Sequence, residues 1–117
     1  MKPADSHADA VYLQHIQQAA RSIASHLSDS NEARFFATPL IQHAVIYQLQ
    51  IIGEAAKRLS ADLRLQHPTI PWQDIAGMRN KLVHDYFGVD LDAVWLAATE
   101  DVPAPLKYVE ELLAGEY

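Results

Sequence analysis

An all-α, antiparallel bundle of four to five helices, in one domain spanning residues 1–117, is the fold that this sequence predicts. Three observations lead there. Apolar residues recur at spacings of three and four over several separate stretches, which puts them on one side of a helix turning about 100° per residue. No stretch alternates apolar and polar residues as a half-buried strand does. Short polar or proline-containing breaks separate the periodic stretches, and short connections join neighbouring antiparallel helices.

Each element has its own signal. Asp5, Ser6 and Asp9 read as an N-cap followed by a first-turn acid, and Val11, Ile16, Ala19, Ala20, Ile23 and Leu27 then repeat at helical spacing, predicting a first helix near 6–27. The polar run Ser28-Asp29-Ser30-Asn31 ends it. Thr38 and Pro39 suit the N-cap and first turn of a second helix, whose stripe of Ile41, Ala44, Val45, Gln48, Leu49, Ile52, Ala55, Ala56 and Leu59 runs to about Ser60. A loop with Pro68 and Pro71 follows. Trp72 and Ile75 open a third helix that continues through Arg79 to Tyr86, and Gly88 closes it. Asp90 or Asp92 can cap a fourth helix containing Val94, Trp95, Leu96 and Ala97. Pro103 and Pro105 must kink or break that helix before Leu106, Val109, Leu112 and Leu113 resume the period.

Composition narrows the function. A chain of 117 residues can bury a single core without crosslinks. Half of it is hydrophobic, yet no apolar run approaches the roughly 18–20 residues of a membrane span, and no apolar signal region follows Met1-Lys2-Pro3. A soluble, cytoplasmic protein is expected. The absence of cysteine removes disulfides, thiolate nucleophiles and Cys-type zinc sites together. The six histidines include no pair four apart, and the four glycines are scattered, so neither a helical zinc site nor a phosphate-binding glycine loop is present. Neither a metal nor a cofactor is expected. A formal charge of −6 argues against a broad basic surface for nucleic acid, so any RNA-binding potential must be local.

The stretch from Arg79 to Tyr86 concentrates the chemistry. Ile75, Leu82, Val83 and Tyr86 fall on one helical face, and Arg79 falls near its middle. A lone arginine inside an apolar stripe costs several kcal/mol, on the order of a broken buried pair. Arg79 therefore either meets a carboxylate or lines a cleft that an anion reaches. Asn80 and His84, one turn apart, share a flank bordering it. On the second helix, His43, Tyr47, Gln50 and Glu54 form a further stripe opposite the core, suited to a subunit interface, the wall of a polar cleft or a solvated face. Glu54 is a candidate partner for Arg79.

The string Arg79-x4-His84-x-Tyr86, preceded by Pro71-Trp72-x-x-Ile75-x-Gly77-Met78 and by Ile51-Ile52-Gly53-Glu54-Ala55-Ala56, resembles the HEPN domain superfamily and, within it, the HepT-like branch. The likeness extends over nearly the whole chain. It implies a helical homodimer in which the Arg and His motifs of both protomers meet in one cleft, acting as a metal-independent endoribonuclease toxin. The usual antitoxin is a minimal nucleotidyltransferase, MntA, which transfers AMP to the motif tyrosine. By position, the resemblance makes Arg79 and His84 catalytic, Asn80 supporting and Tyr86 the modified residue. The same family also includes non-catalytic substrate-binding partners of small nucleotidyltransferases, in which Arg79 and His84 would hold a nucleotide phosphate.

Overall fold

The computed structural model describes residues 3–28, 31–77 and 88–115. Along them run α1 (Pro3–Leu27), α2 (Glu32–Ala37), α3 (Pro39–Lys57), α4 (Ala61–Gln66), α5 (Trp72–Ala76), α6 (Leu91–Leu96), a π-turn (Ala97–Asp101) and α7 (Pro103–Leu113). No strand occurs among the described residues. The all-helical bundle is the expected one, but more helices form than the four to five anticipated. The additions, α2 and α4, are of one to two turns, too short to show an apolar period.

The spine is the pair α1 and α3. Leu13, Ile16, Ala19, Ala20 and Ile23 of α1 are buried against a stripe of α3 that contains Val45, Leu49, Ile52 and Ala56. Burying each large aliphatic side chain contributes about 1.5–3 kcal/mol. The pair is antiparallel, because Asp9, near the start of α1, bonds to Ser60, just past the end of α3. In contrast α7 runs alongside α1 in the same direction: Ile16 and Ala20 lie beside Val102 and Leu106, and Arg21 reaches Glu110 at 2.6 Å. Where Ile16, Ile52, Ile75 and Val102 converge, a gap of only about 10 Å³ remains, no more than the space of a single water and lined by apolar side chains.

Several boundaries differ from expectation, each for a local reason. The first helix starts at Pro3, upstream of Ser6, so Asp9 lies in its second turn; it is no first-turn acid but a buried group, 4% exposed. Asn31 is not merely loop: its Oδ1 accepts from the Arg34 N–H at 2.8 Å and starts α2. That short helix seats Phe35 at zero exposure, its ring 5.2 Å from both Phe36 and Trp95. Gln42, outside the predicted stripe, is buried and donates from Nε2 to the Phe35 and Phe36 carbonyls at 2.9 and 3.1 Å, closing the end of α2. Ser60 does not end α3, which stops at Lys57; its Oγ accepts from the Leu63 N–H at 3.1 Å and starts α4. Arg64 then reaches back, donating from Nη2 to the Ala56 and Lys57 carbonyls at 2.7 and 2.9 Å. Ala56 O also accepts from the Leu59 N–H at 3.3 Å, so the guanidinium adds to the backbone bonds that close the end of α3.

The proline break also takes a definite form. Asp90 caps α6, its Oδ1 accepting from the Ala93 N–H at 3.1 Å. Pro103 has no N–H to continue the ladder, so the helix widens into the π-turn, with Val102 N–H bonding to Ala97 O at 3.0 Å, and α7 restarts with Pro103 in its first turn. Gly115, at φ 77°, ends α7 in the left-handed conformation that glycine adopts without strain.

Candidate active site

Arg79, Asn80, His84 and Tyr86 lie outside the described residues; the structure describes what leads into their segment and what takes over after it. Upstream, Trp72 and Ile75 of α5 are buried, and the Trp72 indole donates to His67 O at 2.9 Å. Ile75 inserts between α1, α3 and the start of α7. Gly77 follows, where a Cβ would approach Gln73 O at 3.2 Å. Downstream, Gly88 leads through Val89 to the Asp90 cap of α6. The described elements on either side of residues 78–87 are thus a helix with its tryptophan and isoleucine in the core and a helix capped by Asp90. Pro71, Trp72 and Gly77, which carry part of the motif pattern, belong to the upstream element.

Glu54 is described, and it stands on the surface. Its nearest cation among the described residues is Lys57, at 3.8 Å, with both side chains about half exposed. Such a pair contributes at most about 1 kcal/mol. His43 and Tyr47 are exposed with it, Tyr47 to 62%, while Gln50 is half-buried. The second stripe of α3 is therefore a real surface opposite the core. Sequence reasoning missed that α1 extends it: Tyr12, His15, Tyr47, Gln50, Glu54 and Arg58 line one groove of about 390 Å³ between the two helices. The Tyr12 and His15 rings meet edge to face at 5.9 Å. Their spacing of three, off the buried stripe of α1, was the available signal. A second groove, sharing His15 and Ile51, continues past Gln18, Ser22 and Gln48. This face carries Tyr12, Tyr47, Gln18, Gln48 and Gln50 beside the charged Glu54 and Arg58.

Among the described residues, no three His, Asp or Glu side chains are grouped closely enough to hold a metal ion, and no helix is long and apolar enough to cross a membrane.

The fold is an all-helical bundle, and the sequence between α5 and α6 carries the Arg79-x4-His84-x-Tyr86 string. The family model described as ribonuclease HepT-like matches residues 16–112, and the chain belongs to that family. The matched span includes Glu54, Arg79, Asn80, His84 and Tyr86. The chain is 37% identical over 105 residues to "Putative RNase TTE0752" of Caldanaerobacter subterraneus subsp. tengcongensis, covering 90% of this chain and 94% of that protein. It is 41% identical over 99 residues to "Probable ribonuclease HepT" of Thermococcus cleftensis, covering 85% and 88%. It is also 40% identical over 103 residues to "Gamma-glutamylcyclotransferase and putative RNase MJ0434" of Methanocaldococcus jannaschii, covering 88% of this chain and 45% of that longer protein. No solved structure matches the chain.

Proposed function

We propose that this chain is a metal-independent endoribonuclease, the toxin of a type VII toxin–antitoxin pair in the cytoplasm, and that a minimal nucleotidyltransferase silences it by transferring AMP to Tyr86. The observation that carries this reading is the family match over 16–112, which takes in the whole Arg79-x4-His84-x-Tyr86 string.

Metal-free cleavage makes three demands. The ribose 2′-OH loses a proton as its oxygen attacks the adjacent phosphorus; the 5′-oxygen gains a proton as its bond to phosphorus breaks; the phosphorane between them carries extra negative charge. Histidine, with a reference pKa near 6.5, serves as base or acid at neutral pH, a role typically worth about 10² to 10⁴-fold. Arg79 presents a permanently charged planar fork to phosphate oxygens. Each chain has one motif histidine, so a two-fold dimer supplies the second proton-transfer group, and the products are a 2′,3′-cyclic phosphate and a 5′-hydroxyl. Asn80 supports the pair. The exposed face carrying Tyr47, Gln50 and Glu54 is suited to hold the second copy, in which arrangement Glu54 lies near the joint cleft. An AMP group on Tyr86 would place an anion where the RNA phosphate belongs.

The test is cleavage of RNA by the purified protein in excess EDTA. Wild type should retain full activity and leave cyclic phosphate ends, His84→Ala should lose at least about 10²-fold, and Arg79→Lys should also be poor because a point charge replaces the fork. Strict magnesium dependence refutes the mechanism. RNA binding without cleavage by wild type would instead favour a non-catalytic binding subunit.

A further inference from the structure

The cleft between α5 and the corner of α6 with the π-turn is built for a different ligand from the one the motif handles. Its floor is apolar, formed by Ile75, Leu96, Ala97 and Pro105, and its volume is about 390 Å³. Leu96 is 49% exposed there, a large aliphatic side chain that the fold leaves uncovered. Asp74, Glu100 and Asp101 stand around the floor. Among the described residues no cation pairs with Glu100 or Asp101. From Gly88 to Leu106 the chain carries Asp90, Asp92, Glu100 and Asp101 and no lysine, arginine or histidine, the flanking cations being those of the motif segment and Lys107. Pro103 and Pro105 withdraw two N–H donors from the same turn, so the backbone does little to offset the carboxylates. The two walls are also the two elements that flank the motif segment, α5 leading into residues 78–87 and α6 following them.

Charge decides the class of ligand. RNA brings one phosphate per nucleotide, and the carboxylates of Glu100 and Asp101 repel it. A lysine or arginine of a protein suits both parts of the cleft, because its aliphatic stem can lie on the apolar floor while its head meets the carboxylates. The volume is at the small end for a binding pocket and admits a few side chains, not a folded helix. We propose that this cleft is the docking site for a basic, apolar-flanked segment of the protein that modifies the motif tyrosine. The identity of that occupant rests on the toxin reading above. Docked there, the partner grips the two elements that flank the motif segment in sequence.

Two measurements test this. In the first, the ¹⁵N-labelled protein is titrated with a synthetic hexapeptide of alternating leucine and lysine, and with the same peptide carrying glutamate for lysine. The amides of Ala93, Leu96, Ala97 and Glu100 should shift with the lysine peptide, less so as salt is added, and not with the glutamate peptide. Unmoved cleft amides overturn the proposal whatever the partner is. In the second, the purified nucleotidyltransferase is titrated onto wild type, E100K/D101K and Leu96→Ala. Affinity should fall about tenfold or more for the charge reversal and several-fold for Leu96→Ala, with RNA cleavage unchanged in both. Unchanged affinity in both variants overturns the docking site and leaves the toxin reading standing. No binding to wild type removes the toxin reading and the proposed occupant with it.

Discussion

The carboxylate of Asp9 holds Ser60, 51 residues further along the chain, by two hydrogen bonds: the Ser60 N–H donates to Oδ1 at 2.8 Å and its hydroxyl to Oδ2 at 2.6 Å. The same hydroxyl accepts from the Leu63 N–H, so a buried acid in α1 orients the residue that starts α4 and locks the antiparallel partner of α1 at its far end. Replacing Asp9 by alanine should cost about 2–3 kcal/mol, because two charge-assisted bonds are lost and the donors of Ser60 lose their acceptor. Asp9→Asn should cost less, since one acceptor oxygen remains. Urea denaturation of the two variants and of Ser60→Ala measures this, and a double-mutant cycle should show the two sites strongly coupled.

Gln42 has no charge, yet its amide closes the end of α2 from inside the bundle. Gln42→Leu preserves bulk but removes the side-chain donor to the Phe35 and Phe36 carbonyls, leaving Phe35 O with only the Thr38 N–H at 3.3 Å. A loss of about 1–3 kcal/mol is expected in chemical denaturation. Gln42→Glu should be worse, because it brings a buried charge that accepts where a donor is needed.

If Tyr47 and its neighbours hold the second copy, a charge at the centre of that face should split the dimer. Tyr47→Asp should sediment as a monomer, keep its helical circular dichroism and lose ribonuclease activity in step with the loss of dimer. A fully dimeric Tyr47→Asp protein would place the interface elsewhere. The side chain is 62% exposed in the single chain, so the substitution leaves the core untouched.

Tyr86→Phe should keep the fold and much of the ribonuclease activity but escape control by the nucleotidyltransferase. A phenol with a reference pKa near 10 is a poor spontaneous nucleophile at neutral pH, so a partner enzyme must supply ATP, metal and base. Intact mass reports the outcome. Wild type should gain about 329 Da per AMP on incubation with partner and ATP, and Tyr86→Phe should gain nothing. An unshifted wild-type mass with an active partner would defeat the assignment.

What the sequence determined by itself was whatever depends on neighbours a few residues apart. The stripes Ile16 to Ile23 and Val45 to Ala56 and the break at Pro103 follow from helical period and from the missing proline N–H, while the cap of α6, open between Asp90 and Asp92 in the sequence, is Asp90. The Arg79-x4-His84-x-Tyr86 string is likewise local, and it led to the family that residues 16–112 match. Tertiary structure decided the rest. Asp9 reads as a first-turn acid until Ser60 arrives 51 residues later, and Gln42, outside the apolar stripe, gains its role only when the Phe35 carbonyl meets its amide. Residues 32–37 and 61–66 are too short to show a period and become helical because their caps and the packing of Phe35 and Leu63 hold them. The joint face of Tyr12, His15 and Tyr47 exists only once α1 and α3 lie side by side. A buried polar group is stabilised by whichever partner the fold brings to it, and that partner's distance along the chain leaves no trace in the local pattern.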